Sequence, residues 1–249
     1  KFLKIVSPNY TVIDAPNNEC GYTYVQGIDY VSKYGNCMRA FINYKFDRPF
    51  WVWQGSLMTG DITKLDSTKM NKVISFSQYA NSKGVWVLLV LMPIDGRDTR
   101  NDLLNNQKAL VQNIVTATKN LNIIYQCYNE FYDPTANTRT AAWIKEAGGL
   151  SCASYRGSSP VNWGADFYWN NSTGKDYDVP DGHIKSTDGQ AQINSMNNND
   201  WINIARKAKS HNGHFEALTA WHRDDSGVIG SIGAQEREYG SFLNAFRDM

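Results

Sequence analysis

The sequence has few cysteines, no long apolar run and no block of basic residues. Its 249 residues include four cysteines, whose spacing does not match a metal-binding pattern. The longest apolar run, Val85 to Met92, is strand-sized and far shorter than the roughly 18 residues that cross a bilayer. The formal net charge is +1, without a cluster of Lys and Arg. We therefore expect no membrane span and no nucleic-acid-binding face.

Several signatures of enzyme chemistry are also missing. The sequence has no G-x-S-x-G motif, which would indicate a serine nucleophile. It has no HExxH motif, which would indicate a zinc enzyme, and no glycine-rich phosphate loop after the first predicted strand. The sequence therefore predicts no metal ion and no cofactor, and it argues against a nucleotide-binding sheet.

The cysteines indicate buried thiols. Cys37, Cys127 and Cys152 lie in or beside predicted strands, and we interpret all three as buried and reduced. A disulfide between Cys20 and Cys37 is the alternative. The chain begins with Lys1 rather than Met, so we interpret it as a mature product or as part of a larger polypeptide.

Strand and helix patterns alternate along the chain, which predicts a parallel sheet. An example is the helical spacing of Leu110, Val111, Ile114 and Val115 between two apolar strands. The predicted strands are Lys4 to Val6, Cys37 to Tyr44, Val85 to Met92, Asn122 to Tyr128, Leu150 to Tyr155, Val179 to Ile184 and His214 to Trp221.

A (β/α)8 TIM barrel that forms a single domain over residues 1–249 is the predicted fold, because about 250 residues is typical of such barrels. Two small domains are the alternative, but no linker supports them. Val161 to Asp178, rich in Trp, Asn and Gly, is predicted to be a long loop. The eighth strand is predicted to be weak, because only Gly227 to Ile232 remains for it.

Asn129 and Glu130 directly follow one of the apolar strands. Barrel enzymes hold their catalytic groups at the carboxyl ends of the strands. An Asn at this position can bind a sugar hydroxyl while the neighbouring Glu transfers a proton. Glu130 is therefore the leading candidate for a catalytic residue, and a loop cap or an ion pair with an Arg is the alternative.

Three segments resemble the clan A glycoside hydrolases, the retaining barrel enzymes that include cellulases and mannanases. Ile28 to Arg39 is similar to the clan's first helix and second strand, which end in an active-site Arg. Asn129-Glu130 resembles the Asn-Glu pair of the fourth strand, and Pro180 to His183 resembles the sixth strand. The resemblance implies that Glu130 is the acid/base, that Arg39 lies in the active site and that His183 lies near the nucleophile.

Two positions depart from the clan's pattern. The clan usually has Pro after the acid/base, whereas this chain has Phe131. The clan's nucleophile is a Glu at the end of strand seven, whereas Glu216 stands near the start of the predicted seventh strand. The clan's position falls nearer Ala220 or Trp221.

Glycoside hydrolysis needs a second carboxylate, about 5–5.5 Å from the first for retention and about 6.5–9.5 Å for inversion. Glu216 is the leading candidate, and we expect Arg39, which is predicted to lie in the interior, to keep it ionised. The alternative is a structural Glu–Arg pair low in the barrel. Asp181, Asp224 and Asp225 are further candidates, and an inverting mechanism is easier with them.

Side chains near the predicted strand ends are candidates for substrate binding, because aromatic rings stack on the C–H faces of sugars. Packing in the core or in loops is the alternative for each of them. The candidates are Arg39, Asn129, Trp53, Tyr155, Trp169, His183 and Trp221.

The combined pattern predicts a glycoside hydrolase that cleaves a β-linked polysaccharide or oligosaccharide, endo-acting and retaining. We expect an extracellular or cell-surface location. A barrel that binds carbohydrate without cleaving it, as a module of a larger cell-surface or virus-particle protein, is the first alternative. A barrel enzyme of another reaction class, such as a lyase, is the second.

Overall fold

The architecture is taken from a computed structural model of the chain. The structure describes residues 2–7, 11–12, 23–42, 65–92, 104–129, 131–157, 159, 161–170, 182–186, 198–218 and 232–249.

In the described ranges, nine parallel strands form one sheet that closes on itself. From β2 to β9, each strand pairs with the next along the chain, and β1 pairs with both β9 and β3. β1 and β2 both pair with β3 and together occupy one strand position of the barrel. The barrel therefore has eight strand positions. The predicted (β/α)8 barrel is confirmed. The strands are β1 (Lys4–Ser7), β2 (Thr11–Val12), β3 (Cys37–Phe41), β4 (Trp86–Met92), β5 (Ile123–Tyr128), β6 (Leu150–Tyr155), β7 (Phe167–Asn170), β8 (His183–Ser186) and β9 (His214–Leu218).

Helices alternate with these strands. Asp66 caps α2, since its side chain accepts a hydrogen bond from the Lys69 N–H at 3.0 Å. None of the helices in the described ranges is long and apolar enough to cross a membrane. The helices are α1 (Tyr24–Tyr34), α2 (Ser67–Ser82), α3 (Leu104–Thr118), α4 (Pro134–Glu146), α5 (Asn198–Ser210) and α6 (Ile232–Asp248).

The strand count differs from the prediction after β6. The predicted loop Val161 to Asp178 contains β7, a four-residue aromatic strand that is too short to show a period. Each later strand therefore moves up one place, so that β8 is the seventh barrel strand and β9 the eighth. The predicted seventh strand is thus the eighth. The segment predicted as the eighth strand, Gly227 to Ile232, lies outside the described residues except for Ile232, which begins α6.

Alternate side chains of the strands point into the barrel or outward to the helices. Inside the barrel, a small apolar layer includes Ile5, Leu88 and Ile124. The larger core lies outside the barrel, between the sheet and the helices. Packing there is tight: a Cβ on Gly149 would lie 2.8 Å from Val115 Cγ1 and 2.9 Å from Tyr125.

The three cysteines predicted to be buried thiols are buried and free: Cys37, Cys127 and Cys152. Burial raises the pKa of each thiol well above its usual value. The alternative of a Cys20–Cys37 disulfide is wrong, because Cys37 lies in the apolar layer inside the barrel as a free thiol. Cys20 itself lies outside the described residues.

Candidate active site

Arg39 lies inside the barrel, where β3 places it with 1% of its surface exposed. Its Nε donates to Gln126 Oε1 at 2.7 Å, and its Nη2 donates to Asn129 Oδ1 at 2.7 Å. The interior location predicted for Arg39 is therefore correct. The guanidinium joins the second barrel strand to the carboxyl end of the fourth.

Asn129 follows β5 directly and is fully buried. Its backbone N–H donates to the Met92 carbonyl at 3.1 Å, and its Oδ1 is bound by Arg39. Its Nδ2 has no hydrogen-bond partner among the described residues. A buried donor without a partner costs free energy unless a further group accepts its hydrogen bond. Glu130, the next residue, lies outside the described residues.

Trp169 on β7 is buried inside the barrel. The Arg39 guanidinium carbon lies 4.1 Å from its ring centroid, within the range of a cation–π interaction. Its indole Nε1 donates to Glu216 Oε2 at 2.5 Å. One face of the ring is thus used by Arg39, and a sugar-binding role for Trp169 stays a prediction.

Glu216 lies on β9 with 0% of its surface exposed. Its Oε1 accepts a hydrogen bond from Ser7 Oγ at 2.7 Å, and its Oε2 accepts the one from Trp169. Within the described part of the chain, the Arg39 guanidinium donates to two amide oxygens and not to Glu216, which does not support the alternative of a structural Glu–Arg pair. The expected influence of Arg39 on Glu216 stays a prediction. Among the described residues, Trp169 contacts both Arg39 and Glu216.

Gln126 and Ser154 also belong to the polar interior and were not predicted. The Gln126 Nε2 donates to Ser154 Oγ at 2.7 Å and to the Tyr128 carbonyl at 2.9 Å, while its Oε1 accepts from Arg39. The signal for it was one amide within the apolar strand Ile123–Tyr128. A buried polar residue in such a strand needs partners inside the barrel.

Tyr155 and His183 lie on the outer face of the barrel. The His183 ring stacks on Tyr168, with centroids 4.7 Å apart, and meets Tyr155 edge-on at 5.6 Å. Tyr155 and Tyr168 pack with Ala208 of α5. His183 also begins β8, whereas the predicted strand ended near it. These contacts give no support to a substrate-binding role for either side chain, and that role stays a prediction.

The corrected strand count changes where the second acid is expected. The resemblance to clan A places the nucleophile at the end of strand seven, which is β8. This strand ends at Ser186, and the first acid after it in the sequence is Asp188. The predicted or newly indicated site residues that lie outside the described residues are Trp53, Glu130, Asp181, Asp188, Trp221, Asp224 and Asp225.

No group of three or more His, Cys, Asp or Glu side chains within the described ranges is arranged to hold a metal ion. In the part of the chain that the structure describes, the polar interior instead contains amides, hydroxyls, a guanidinium and a carboxylate. These groups can orient hydroxyl-rich ligands and transfer protons.

No protein-family model and no curated protein matches the sequence. Solved structures do match over nearly the whole chain. A glycoside hydrolase family 5 enzyme from Prevotella bryantii B14, in complex with a xyloglucan tetradecasaccharide, matches with a TM-score of 0.65 and 12% identity, over 98% of this chain and 96% of that one.

Two further matches cover both chains almost completely. An endo-β-1,4-glucanase from Xanthomonas axonopodis pv. citri has a TM-score of 0.61 and 11% identity, over 99% of each chain. A GH113 β-1,4-mannanase has a TM-score of 0.60 and 11% identity, over 100% of each chain. The chain therefore has the (β/α)8 barrel fold of the clan A glycoside hydrolases, as the sequence resemblance predicted.

Proposed function

We propose that the protein is a glycoside hydrolase that cleaves a β-linked polysaccharide, with Glu130 as the acid/base. The observation that carries the proposal is the amide of Asn129, which is buried, fixed by Arg39 and without a partner for its Nδ2 among the described residues. Glu130 follows it directly at the carboxyl end of the fourth barrel strand. The matching structures are described as endoglucanase, mannanase and lichenase, which supports a β-linked substrate.

The Arg39–Asn129 contact orients the amide before any ligand arrives. Because Arg39 donates to Oδ1, the Asn129 Nδ2 keeps both of its hydrogens for a sugar hydroxyl. A donor that is already held in place costs little to organise when substrate binds. The sugar would thus be held beside the residue that transfers the proton.

The reaction needs two acidic groups. Glu130 protonates the oxygen of the leaving sugar, and a second carboxylate either attacks the anomeric carbon or activates a water molecule. Glu216 is buried, and both of its oxygens accept hydrogen bonds inside the barrel. The proposal therefore takes Asp188, the first acid after the seventh strand, as first choice and keeps Glu216 as the alternative. Asp181, Asp224 and Asp225 follow.

Endo action and retention of configuration are further parts of the proposal. Endo action is supported by matching structures described as endoglucanases. Retention is supported by the clan resemblance. Proton NMR of the first product released distinguishes retention from inversion, because the two outcomes give opposite anomers.

The proposal is tested by measuring reducing ends released from β-glucans, mannans and xylans. We expect wild-type protein to cleave at least one of them, and Glu130→Gln to be about 10²–10⁴-fold slower, since that is what a general acid contributes. The matched control is Glu146→Gln on α4, where the carboxylate is exposed and binds Lys108. The control should keep wild-type activity, and both variants should keep the wild-type melting temperature.

Two results would contradict the proposal. One is the absence of new reducing ends from every polysaccharide in the panel. The other is equal activity of wild type and Glu130→Gln. Binding of a polysaccharide without cleavage would support the alternative of a carbohydrate-binding barrel.

A further inference from the structure

We infer that Glu216 is a positioning residue that acts through Trp169 and Arg39 on the sugar-binding amide of Asn129. The inference rests on the proposed function and assigns Glu216 a role in the same site. It depends on four contacts that join β1, β9, β7, β3 and the end of β5.

The first two contacts fix the indole ring. Ser7 Oγ donates to one oxygen of Glu216 at 2.7 Å, and the Trp169 Nε1 donates to the other at 2.5 Å. With both oxygens engaged, the carboxylate holds the indole N–H in one direction. Because each oxygen accepts one of these hydrogen bonds, the carboxyl group and the indole fix each other's orientation.

The next contacts transfer this order to the guanidinium. The Arg39 guanidinium carbon lies 4.1 Å from the Trp169 ring centroid and 4.9 Å from the Phe41 ring centroid. Its nitrogens then donate to Gln126 and Asn129. A change in the orientation of the indole therefore shifts the guanidinium and, with it, the amide of Asn129.

The charges support the same interpretation. Both Arg39 and Glu216 are removed from solvent, yet their described contacts are with amide oxygens, Ser7 and Trp169 rather than with each other. A buried charge is costly unless hydrogen bonds and nearby opposite charge compensate it. Here the Trp169 indole lies between the two groups and contacts both. A carboxylate enclosed in this way is arranged to hold a neighbour rather than to attack a substrate.

The test compares two variants of Glu216. Glu216→Gln keeps the shape and an acceptor for the indole N–H, so we expect kcat to stay within about tenfold of wild type. Glu216→Leu removes the acceptor, and we expect KM to rise about 10–100-fold, with a smaller change in kcat, because a pre-ordered binding group is lost. Ser7→Ala is the control, since it leaves the indole contact in place; its KM should change less than that of Glu216→Leu.

A double-mutant cycle tests the route of the effect. Trp169→Phe keeps a ring beneath Arg39 but removes the indole N–H, and it should raise KM by itself. If Glu216 acts through that N–H, adding Glu216→Leu to Trp169→Phe should raise KM no further. Additive increases in KM would overturn the inference, because Glu216 would then act by another route.

A spectroscopic measurement separates this inference from the proposed function. The indole N–H signal of Trp169 and the side-chain amide signal of Asn129 are assigned by their loss in Trp169→Phe and Asn129→Asp. Both signals should shift in Glu216→Leu and stay unchanged in Glu146→Gln. This measurement requires no activity, so it decides the inference even if no polysaccharide is cleaved.

Two further outcomes would overturn the inference. The first is that Glu216→Gln is as inactive as Glu130→Gln and that azide restores cleavage by Glu216→Gln, because azide replaces an attacking carboxylate. The second is an unchanged Asn129 amide signal in folded Glu216→Leu. If Glu216→Leu does not fold, Trp169→Phe tests the same link: a wild-type KM and an unchanged Asn129 signal in that variant would overturn the inference.

Discussion

Replacing Arg39 with Lys tests whether the guanidinium organises the barrel interior. The guanidinium makes two hydrogen bonds of 2.7 Å and stacks on Trp169, and only 1% of the residue is exposed. A lysine ammonium has no planar fork, so we expect at least one of the two amide oxygens to lose its donor. The Arg39→Lys variant should fold but be measurably less stable.

The expected loss follows from the contacts. A lost hydrogen bond to a charged group costs about 1.5–3 kcal/mol, and weaker stacking on the ring adds about 0.5–1 kcal/mol. The free energy of unfolding should therefore fall by about 2–4 kcal/mol. For a chain of this length, each kcal/mol lowers the melting temperature by about 2–4 °C, which gives a decrease of roughly 5–15 °C.

Urea unfolding and thermal melting measure both quantities. Arg247→Lys is the matched control, because the Arg247 side chain is 50% exposed and bonds only to its neighbour Asp248 within the described contacts. The control should unfold at the wild-type midpoint. If Arg39→Lys also unfolds there, the guanidinium does not carry the interior network, and the reasoning from its contacts is wrong.

Two further predictions concern packing and pH. Gly149→Ala should lower the free energy of unfolding by about 1–3 kcal/mol in urea unfolding, because its Cβ would overlap neighbours. Gly240→Ala in α6, where the space is open, should raise the free energy of unfolding by up to about 1 kcal/mol. A more stable Gly149→Ala and a less stable Gly240→Ala would contradict the packing described. The raised pKa of the Cys37 and Cys152 thiols means that their stabilising contribution is complete below their ordinary pKa of 9.0 and is lost above it. The free energy of unfolding should therefore fall above pH 9 by up to about 1.4 kcal/mol per pH unit for each thiol. Urea unfolding at pH 8 and pH 10 measures this fall, and Cys152→Ala should make it smaller. The same fall in the variant and in wild type would contradict the prediction.

The sequence predicted the parts of the barrel with strong local patterns. The predicted positions of β4 and of β5, the strand before Asn129, were correct, because a strand buried on both faces is a nearly continuous apolar run. The interior position of Arg39 was also correct. β7 was missed because four aromatic and polar residues between turn-forming stretches show no periodicity.

Long-range geometry was not predictable. Strand alternation has a period of two, so placing β8 a few residues too early left the orientation of His183 undetermined. The contacts of Arg39 and Glu216 with Trp169 were not predictable for a different reason. Which side chains meet inside a barrel depends on strand tilt and stagger, and these placed the Trp169 indole between the two charges.

The central claim is that Glu130 protonates the leaving group. The most direct test is whether the activity lost in Glu130→Gln depends on the leaving group of the substrate. A polysaccharide needs that proton, whereas an aryl glycoside that releases dinitrophenolate does not. For Glu130→Gln we expect cleavage of the polysaccharide to fall by about 10²–10⁴-fold while bond cleavage in the dinitrophenyl glycoside stays near the wild-type rate. An equal loss on both substrates, or no loss on either, would contradict the account.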